Sequence, residues 1–268
     1  MKVAALQMTS GADVETNLNE ARLLLEQAAG QGAQLAVLPE NFAFMGLRDA
    51  DKLAVGEDQG HGPIQDFLAQ ISQRLGLWVI AGTIPLRVPG DARVAAASLV
   101  FDAQGTCVAR YDKIHLFDVE IPERAESYRE SANMAPGKMP VVIDTPVGRV
   151  GLAVCYDVRF PELFRKLSAA GAQVLVLPSA FTAPTGRAHW ETLLRARAIE
   201  NLCHVIAPAQ SGFHPNGRET YGDSMIIDHW GRILARLPRG RGCVTAMIDL
   251  ARQAEVRKSF PVLEHRVL

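Results

Sequence analysis

Hydrophobic and polar positions along this chain follow two rhythms. Short runs rich in Val, Ile, Leu and Ala recur throughout: KVAALQM, QLAVLP, LWVIAGTIP, AAASLVFD, TCVARYDK, PVVID, RVGLAVC, AQVLVLP, CHVIAPAQ, SMIID, GRILARL and CVTAMIDL. Runs of this length and make-up predict buried strands. Between several of them the apolar positions move to helical spacing. Leu18, Ala21, Leu25 and Ala28 fall on one face of a helix predicted over 14–30, and further helices are predicted over 63–75, 161–170, 187–201 and 250–258. The punctuation agrees, with Asp13 placed to cap the first helix, Gly30 and Gly32 after it, and Gly171 after the helix that Pro161 opens.

The pattern is α/β, but not purely parallel. Residues 95–115 and 205–248 read as consecutive strands joined by the turns DAQG and DHWG, which predicts hairpins. Sheets of this size need both faces covered, and the economical arrangement is a four-layer αββα sandwich, two mixed sheets packed together with helices outside. A single doubly wound sheet would use the same ingredients. No internal repeat, low-complexity tract or Pro/Ser-rich linker stands out, so the whole of 1–268 is expected to form one domain.

Composition narrows the function. The formal net charge is -1 over 268 residues, and no Lys/Arg run offers a field for a phosphate backbone, so no nucleic-acid partner is expected. The start, MKVAALQMTSGADVETN, is too briefly apolar for a signal peptide, and no later run has the length of a membrane span. A soluble, cytoplasmic protein is expected, with no membrane partner. Cys107, Cys155, Cys203 and Cys243 lie far apart without a CxxC pair, so neither a zinc site nor a disulfide framework is predicted.

The candidate chemistry sits at strand ends. Cys155 follows the continuous apolar run 150–154 and precedes FPEL, whose Pro and Glu suit a first helical turn. That seam, the C-terminal end of a buried strand, is where α/β folds place their clefts. A buried cysteine is otherwise an inert small hydrophobe. Glu40 ends QLAVLPE in the same way, and Lys113 lies just past the strand CVARYD, where alternation would let it share a face with His115. Together these are the parts of covalent acyl transfer: a sulfur nucleophile, a carboxylate to move its proton and a cation for the oxyanion. At its ordinary pKa of about 8.5 the thiol would already be a few per cent thiolate at neutral pH. A Cys-His-Asp arrangement built on His115, His189 or His204 is the competing assignment, although His204 within CHVIAPA reads as a core residue.

LPENFAF around Glu40, YDKIHLFDV around Lys113 and GLAVCYDVRFPELFR around Cys155 resemble, in the right order, the three signature blocks of the nitrilase superfamily of carbon–nitrogen hydrolases. The likeness runs through nearly the whole chain, including ALQM, RESANMAPG, PSAFTAPTGRAHWETLLRARAIEN, YGDSMIIDHWG and FPVLEHR. CYDVRFPEL and SAFTAPTGRAHWETLLRARAIE are most similar to the Nit branch, especially its deaminated glutathione amidases, with the neighbouring ω-amidases sharing much of the same text. One departure is Asp112, where relatives often carry arginine before the lysine.

The resemblance implies an αββα sandwich that pairs into a homodimer or higher homo-oligomer and uses no metal or organic cofactor. It implies Glu40 as general base, Lys113 as oxyanion stabiliser and Cys155 as nucleophile. Glu130, in RESANMAPG, matches a second glutamate near the site, where it either acts directly or orients Lys113. The backbone N–H of Tyr156 is expected at the oxyanion. Arg159 is implied as the grip on an α-keto acid carboxylate, with Phe181 and Thr185 lining the same pocket. The substrate so implied is a small amide with a carboxylate or α-keto acid end. An N-acyltransferase and a non-catalytic interaction module are the readings from other classes.

Overall fold

Each of the apolar runs becomes a strand, and LWVIAGTIP becomes two. The computed structural model describes residues 1–121 and 126–267. The first part of the chain forms β1 (Lys2–Gln7), α1 (Val14–Gly30), β2 (Leu35–Val37), α2 (Pro63–Leu75), β3 (Trp78–Ile80), β4 (Ile84–Arg87), β5 (Val94–Phe101), β6 (Cys107–Asp112), β7 (Asp118–Ile121), β8 (Glu126–Arg129) and β9 (Met134–Ala135). The rest forms β10 (Val141–Thr145), β11 (Gly148–Leu152), α3 (Pro161–Ala169), β12 (Val174–Val176), α4 (Ala183–Asn201), β13 (His204–Ala207), β14 (Ser211–Phe213), β15 (Glu219–Tyr221), β16 (Ser224–Ile227), β17 (Ile233–Leu237), β18 (Gly242–Met247) and α5 (Leu250–Ser259).

Two large mixed sheets result. The first runs β18-β1-β2-β3-β5-β4, with β6 and β9 also joined to β5, and the second runs β10-β11-β12-β13-β16-β17. Side-chain alternation sorts the residues of each strand between two cores. In the first sheet Val3, Ala5, Leu35, Val37 and Ile80 meet the second sheet, while Ala4, Leu6, Ala36 and Val79 meet Leu25 and Ala28 of α1 and Ile64 and Leu68 of α2. The second sheet packs Phe164 and Leu167 of α3 and Trp190 and Leu194 of α4 into a cluster continuous with the inter-sheet core. The layers are therefore helix, sheet, sheet, helix, and the single doubly wound sheet is ruled out.

Predicted elements mostly hold their bounds. Asp13 caps α1 through a 2.8 Å bond from Thr16 N, and DAQG and DHWG turn the hairpins β5-β6 and β16-β17. Two expectations change. The strand β18 does not extend the β16-β17 meander; it crosses to pair antiparallel with β1. Helix α4 begins at Ala183 rather than at 187, because Pro184 needs no N–H in a first turn and Gly186 leaves room for the ring of Tyr221, which a Cβ there would strike.

The structure also corrects the expectation of no repeat. GAQLAVLPE at 32–40 and GAQVLVLPS at 171–179 occupy equivalent places in β1-α1-β2-α2-β3 and β11-α3-β12-α4-β13, each with three parallel strands in chain order. Val3 pairs with Leu35 and Leu35 with Trp78, as Val150 pairs with Val174 and Val174 with His204. The C-terminal ends of these strands meet at one edge of the sandwich. There Ser10 N donates to Gln210 Oε1 at 3.0 Å, and Gln210 Nε2 donates to the Glu40 carbonyl at 3.0 Å, so a buried polar network ties the two sheets together.

Candidate active site

Cys155 is the first residue of a short 3-10 turn, Cys155–Arg159, entered directly from the strand end at Val154. Its φ of 47° lies in the left-handed region, a conformation that costs a residue with a side chain roughly 1–3 kcal/mol and marks functional sites when the surroundings enforce it. The surroundings here are explicit. Cys155 N donates to the Pro178 carbonyl at 2.9 Å. Asp157, fully buried, accepts from Val154 N at 2.8 Å, from the Tyr111 hydroxyl at 2.7 Å and from His115 N at 3.1 Å. One carboxylate thus fastens the cysteine turn to the segment that carries Lys113.

Glu40 leaves the end of β2 through Leu38 and Pro39. The neighbouring strand can pass closely because residue 82 is glycine: its φ is +52°, and a Cβ would collide with the Pro39 carbonyl. Lys113 follows β6, its backbone held by Ala96 O at 3.0 Å. The three groups converge. Lys113 Nζ donates to Glu40 Oε1 at 2.8 Å and to both oxygens of Glu130 at 3.0 and 2.9 Å. Glu40 Oε2 accepts from Ala180 N at 2.8 Å, and Cys155 lines the same cavity beside the Glu40 carboxylate. Glu130 is itself held by Phe117 N at 2.7 Å.

Electrostatics fix the resting protonation. Burial pushes the Glu40 carboxyl up, but the Lys113 charge and the hydrogen bonds from Lys113 and Cys155 outweigh it and hold the group below the ordinary carboxylate range. Burial pulls Lys113 down, yet Glu130 and Glu40 keep it well above an ordinary lysine. Cys155 moves the other way from the simple expectation of a partly ionised thiol. Burial first, and then the Glu40 charge, raise it well above an ordinary cysteine against the pull of Lys113. The resting site is an ammonium, a carboxylate and a neutral thiol, gathered on one cavity.

The cavity over these groups opens to solvent and is lined by Glu40, Lys113, Glu130, Cys155, Tyr156, Phe181 and Thr185, among others. Arg159 does not line it. The guanidinium lies 5.4 Å from the Phe181 ring centroid and 6.0 Å from that of Tyr156, and its Nη1 is 3.3 Å from His189 Nδ1. The histidines of the competing assignment stand apart from the cavity as well. The extended backbone ends at Asp112, so His115 does not share the Lys113 face; its Nδ1 is 2.7 Å from Asp157 Oδ1 and its ring stacks on Phe160. His189 is exposed, and His204 is a core residue of β13 that burial brings down to about 4. Asp112 turns away from Lys113 into a two-pronged bond with Arg110, at 2.8 and 3.0 Å, so its departure from the family pattern leaves the cavity charge untouched.

Sequence reading missed several residues around the site. Asp157 lies in plain view two positions after Cys155, but nothing local marks it as buried. Lys52, Tyr128 and Arg218 also line the cavity. Lys52 belongs to the charged string RDADK, which reads as a solvated loop.

The carbon–nitrogen hydrolase family model matches residues 2–258. This chain belongs to the carbon–nitrogen hydrolase family. Among its curated relatives, the deaminated glutathione amidase of Synechocystis sp. is 46% identical over 272 residues, covering 98% of this chain and 97% of that protein. The deaminated glutathione amidase of Homo sapiens is 41% identical over 267 residues, covering 98% of this chain and 81% of that protein. In three dimensions the crystal structure of the C. elegans NitFhit protein superposes with a TM-score of 0.91 at 39% identity, over 99% of this chain and 65% of that longer one. As a carbon–nitrogen hydrolase acting on amides, the protein needs a nucleophile, a proton shuttle and an oxyanion partner in one enclosure, and Cys155, Glu40 and Lys113 have the chemistry for all three.

Proposed function

We propose that this protein hydrolyses the amide bond of deaminated glutathione, α-ketoglutaramyl-cysteinylglycine, to α-ketoglutarate and cysteinylglycine. The observation that carries the chemistry is the convergence of Glu40, Lys113 and Cys155 on one cavity, with Lys113 Nζ 2.8 Å from Glu40 Oε1. The relatives that carry this activity in their names, at 46% and 41% identity, support the substrate.

In the proposed sequence Glu40 takes the Cys155 proton as sulfur bonds to the amide carbon. The carbonyl π pair moves to oxygen, where the Lys113 ammonium and the Tyr156 backbone N–H, in the first turn and without an intrahelical acceptor, offset the new charge. The tetrahedral adduct collapses, the C–N bond breaks, and Glu40 delivers its proton to the departing nitrogen. A thioester on Cys155 remains. Water then attacks that carbon while Glu40 accepts its proton; the C–S bond breaks and the proton returns to sulfur. Glu130, bonded to Lys113 through both oxygens, is the positioning residue that aims the ammonium. No metal or organic cofactor enters any step. Phe181 and Thr185 form the wall for the acyl chain, and Arg159 attracts its α-keto acid carboxylate across the Phe181 and Tyr156 rings.

Two copies are proposed to associate through the face bearing Ile199, Trp230 and Phe260, large apolar side chains left 47%, 59% and 50% exposed. Among the described residues no helix is long and apolar enough to cross a membrane.

The deciding experiment offers deaminated glutathione and α-ketoglutaramate separately and assays cysteinylglycine and ammonia. Higher kcat/KM with cysteinylglycine release is expected for the first. A strong preference for α-ketoglutaramate would make the protein an ω-amidase instead.

A further inference from the structure

Lys52 is a second buried lysine on the cavity wall, and its situation is opposite to that of Lys113. It belongs to the 3-10 turn Asp49–Leu53 and is only 9% exposed. Lys113 holds three carboxylate oxygens, whereas Lys52 makes no hydrogen bond and no ion pair among the described residues, although it lines the cavity. An ammonium removed from water without a partner is costly, and an anion arriving in the cavity would meet that need. Arg218 lines the cavity with it. The guanidinium lies 4.6 Å from the Tyr128 ring centroid and makes a long 3.6 Å pair with Asp49, which leaves donors for a ligand.

The location of this pair identifies the anion. The opposite charges that act most on Lys52 are Glu130 and Glu40, which places it on the carboxylate side of the cavity. Glu40 hands its proton to the departing nitrogen, so that side receives the leaving amine. Arg159 is not a lining residue, and its guanidinium lies by the rings of Tyr156 and Phe181. Deaminated glutathione carries two carboxylates, one on the keto acid and one on the terminal glycine of the leaving dipeptide; α-ketoglutaramate has only the first.

We propose that Lys52 and Arg218 form a cationic subsite that grips the terminal carboxylate of the leaving dipeptide, making them the residues that select a peptide-like leaving group over ammonia. The assignment rests on the deaminated-glutathione reading and deepens it.

The test compares deaminated glutathione with the same compound ending in a glycine carboxamide. Wild type should show a KM about tenfold higher for the carboxamide, with kcat nearly the same. Lys52→Met should raise KM for the acid about tenfold and bring the two compounds within about twofold of each other, Arg218→Gln should do so in part, and Lys52→Arg should retain most of the discrimination. Equal KM values for the two compounds in wild type, or full discrimination surviving in both Lys52→Met and Arg218→Gln, would overturn the subsite. A wild-type enzyme that hydrolyses α-ketoglutaramate but releases no cysteinylglycine would instead overturn the underlying substrate reading, and the subsite with it.

Discussion

The two βαβαβ halves share a frame and divide the groups of the proposed chemistry. GAQLAVLPE and GAQVLVLPS lie in matching strands, and the matching hydrogen bonds are of equal length: Leu38 N to Ile80 O and Leu177 N to Ile206 O are both 2.9 Å. At the strand corner the first half presents Glu40 and the second Ser179. One strand over the roles reverse, because by register Val3 corresponds to Val150 and so Met8 to Cys155. In the proposed reaction each half therefore places one reacting side chain where the other places a bystander, and packing the strand ends together assembles the pair. The contact is direct, since Glu40 accepts a hydrogen bond from Ala180, the residue after Ser179. The two halves share the scaffold, and the proposed reaction draws on the few differences at their equivalent corners.

The largest break in this comparison is Cys155→Ala. Turnover should fall by at least about ten-thousandfold, with unfolding midpoint little changed, and intact-mass analysis should lose the acyl adduct on this position. Moving the thiol to the other half, with Met8→Cys added, should restore nothing, because Met8 is wholly buried and does not line the cavity.

Glu40→Gln comes next, with an expected loss of roughly 10²–10⁴-fold in kcat. The pH profile sharpens the assignment. A general base works deprotonated, so the rate falls as pH drops through its pKa. Glu40 is held below the 4.5 of a free glutamate, which puts the acid limb of kcat/KM on the acid side of that value. Cys155 is raised well above 9.0, and the thiol stays protonated through the neutral range. The profile should be flat across neutrality, and a limb centred near pH 7 would point to a histidine instead.

How far the sequence led depended on whether a feature was local. Apolar runs marked the strands, since burial on both faces leaves a continuous apolar string, and caps such as Asp13 fixed helix ends. Glu40, Lys113 and Cys155 were visible because each directly follows such a run. Features set by distant partners were not. The pairing of β18 with β1 joins opposite ends of the chain, and the start of α4 depends on the ring of Tyr221. Lys52 looks like any charged loop residue until the fold closes over it. The repeat was present in the letters, but its meaning lay in the strand registers.

Asp157→Asn should weaken the cysteine corner without removing any reacting group. The carboxylate accepts from two backbone amides and the Tyr111 hydroxyl and faces His115 Nδ1. An amide can accept through only one of its two positions, so about 2–4 kcal/mol of stability should be lost in denaturant unfolding. The left-handed turn at Cys155 should relax with it, lowering kcat by about tenfold or more. Unchanged stability would mean the corner is held by the sheet alone.

Ser179→Ala is the smallest change and the most discriminating about the comparison itself. Ser179 occupies the corner equivalent to that of Glu40, and its hydroxyl donates only to the Leu177 carbonyl, at 3.0 Å. Losing one neutral buried hydrogen bond should cost about 1 kcal/mol and leave kcat within about twofold of wild type. If kcat instead fell a hundredfold, the second corner would be acting in the reaction, and the division of one reactive group per half would fail even though the shared frame remained.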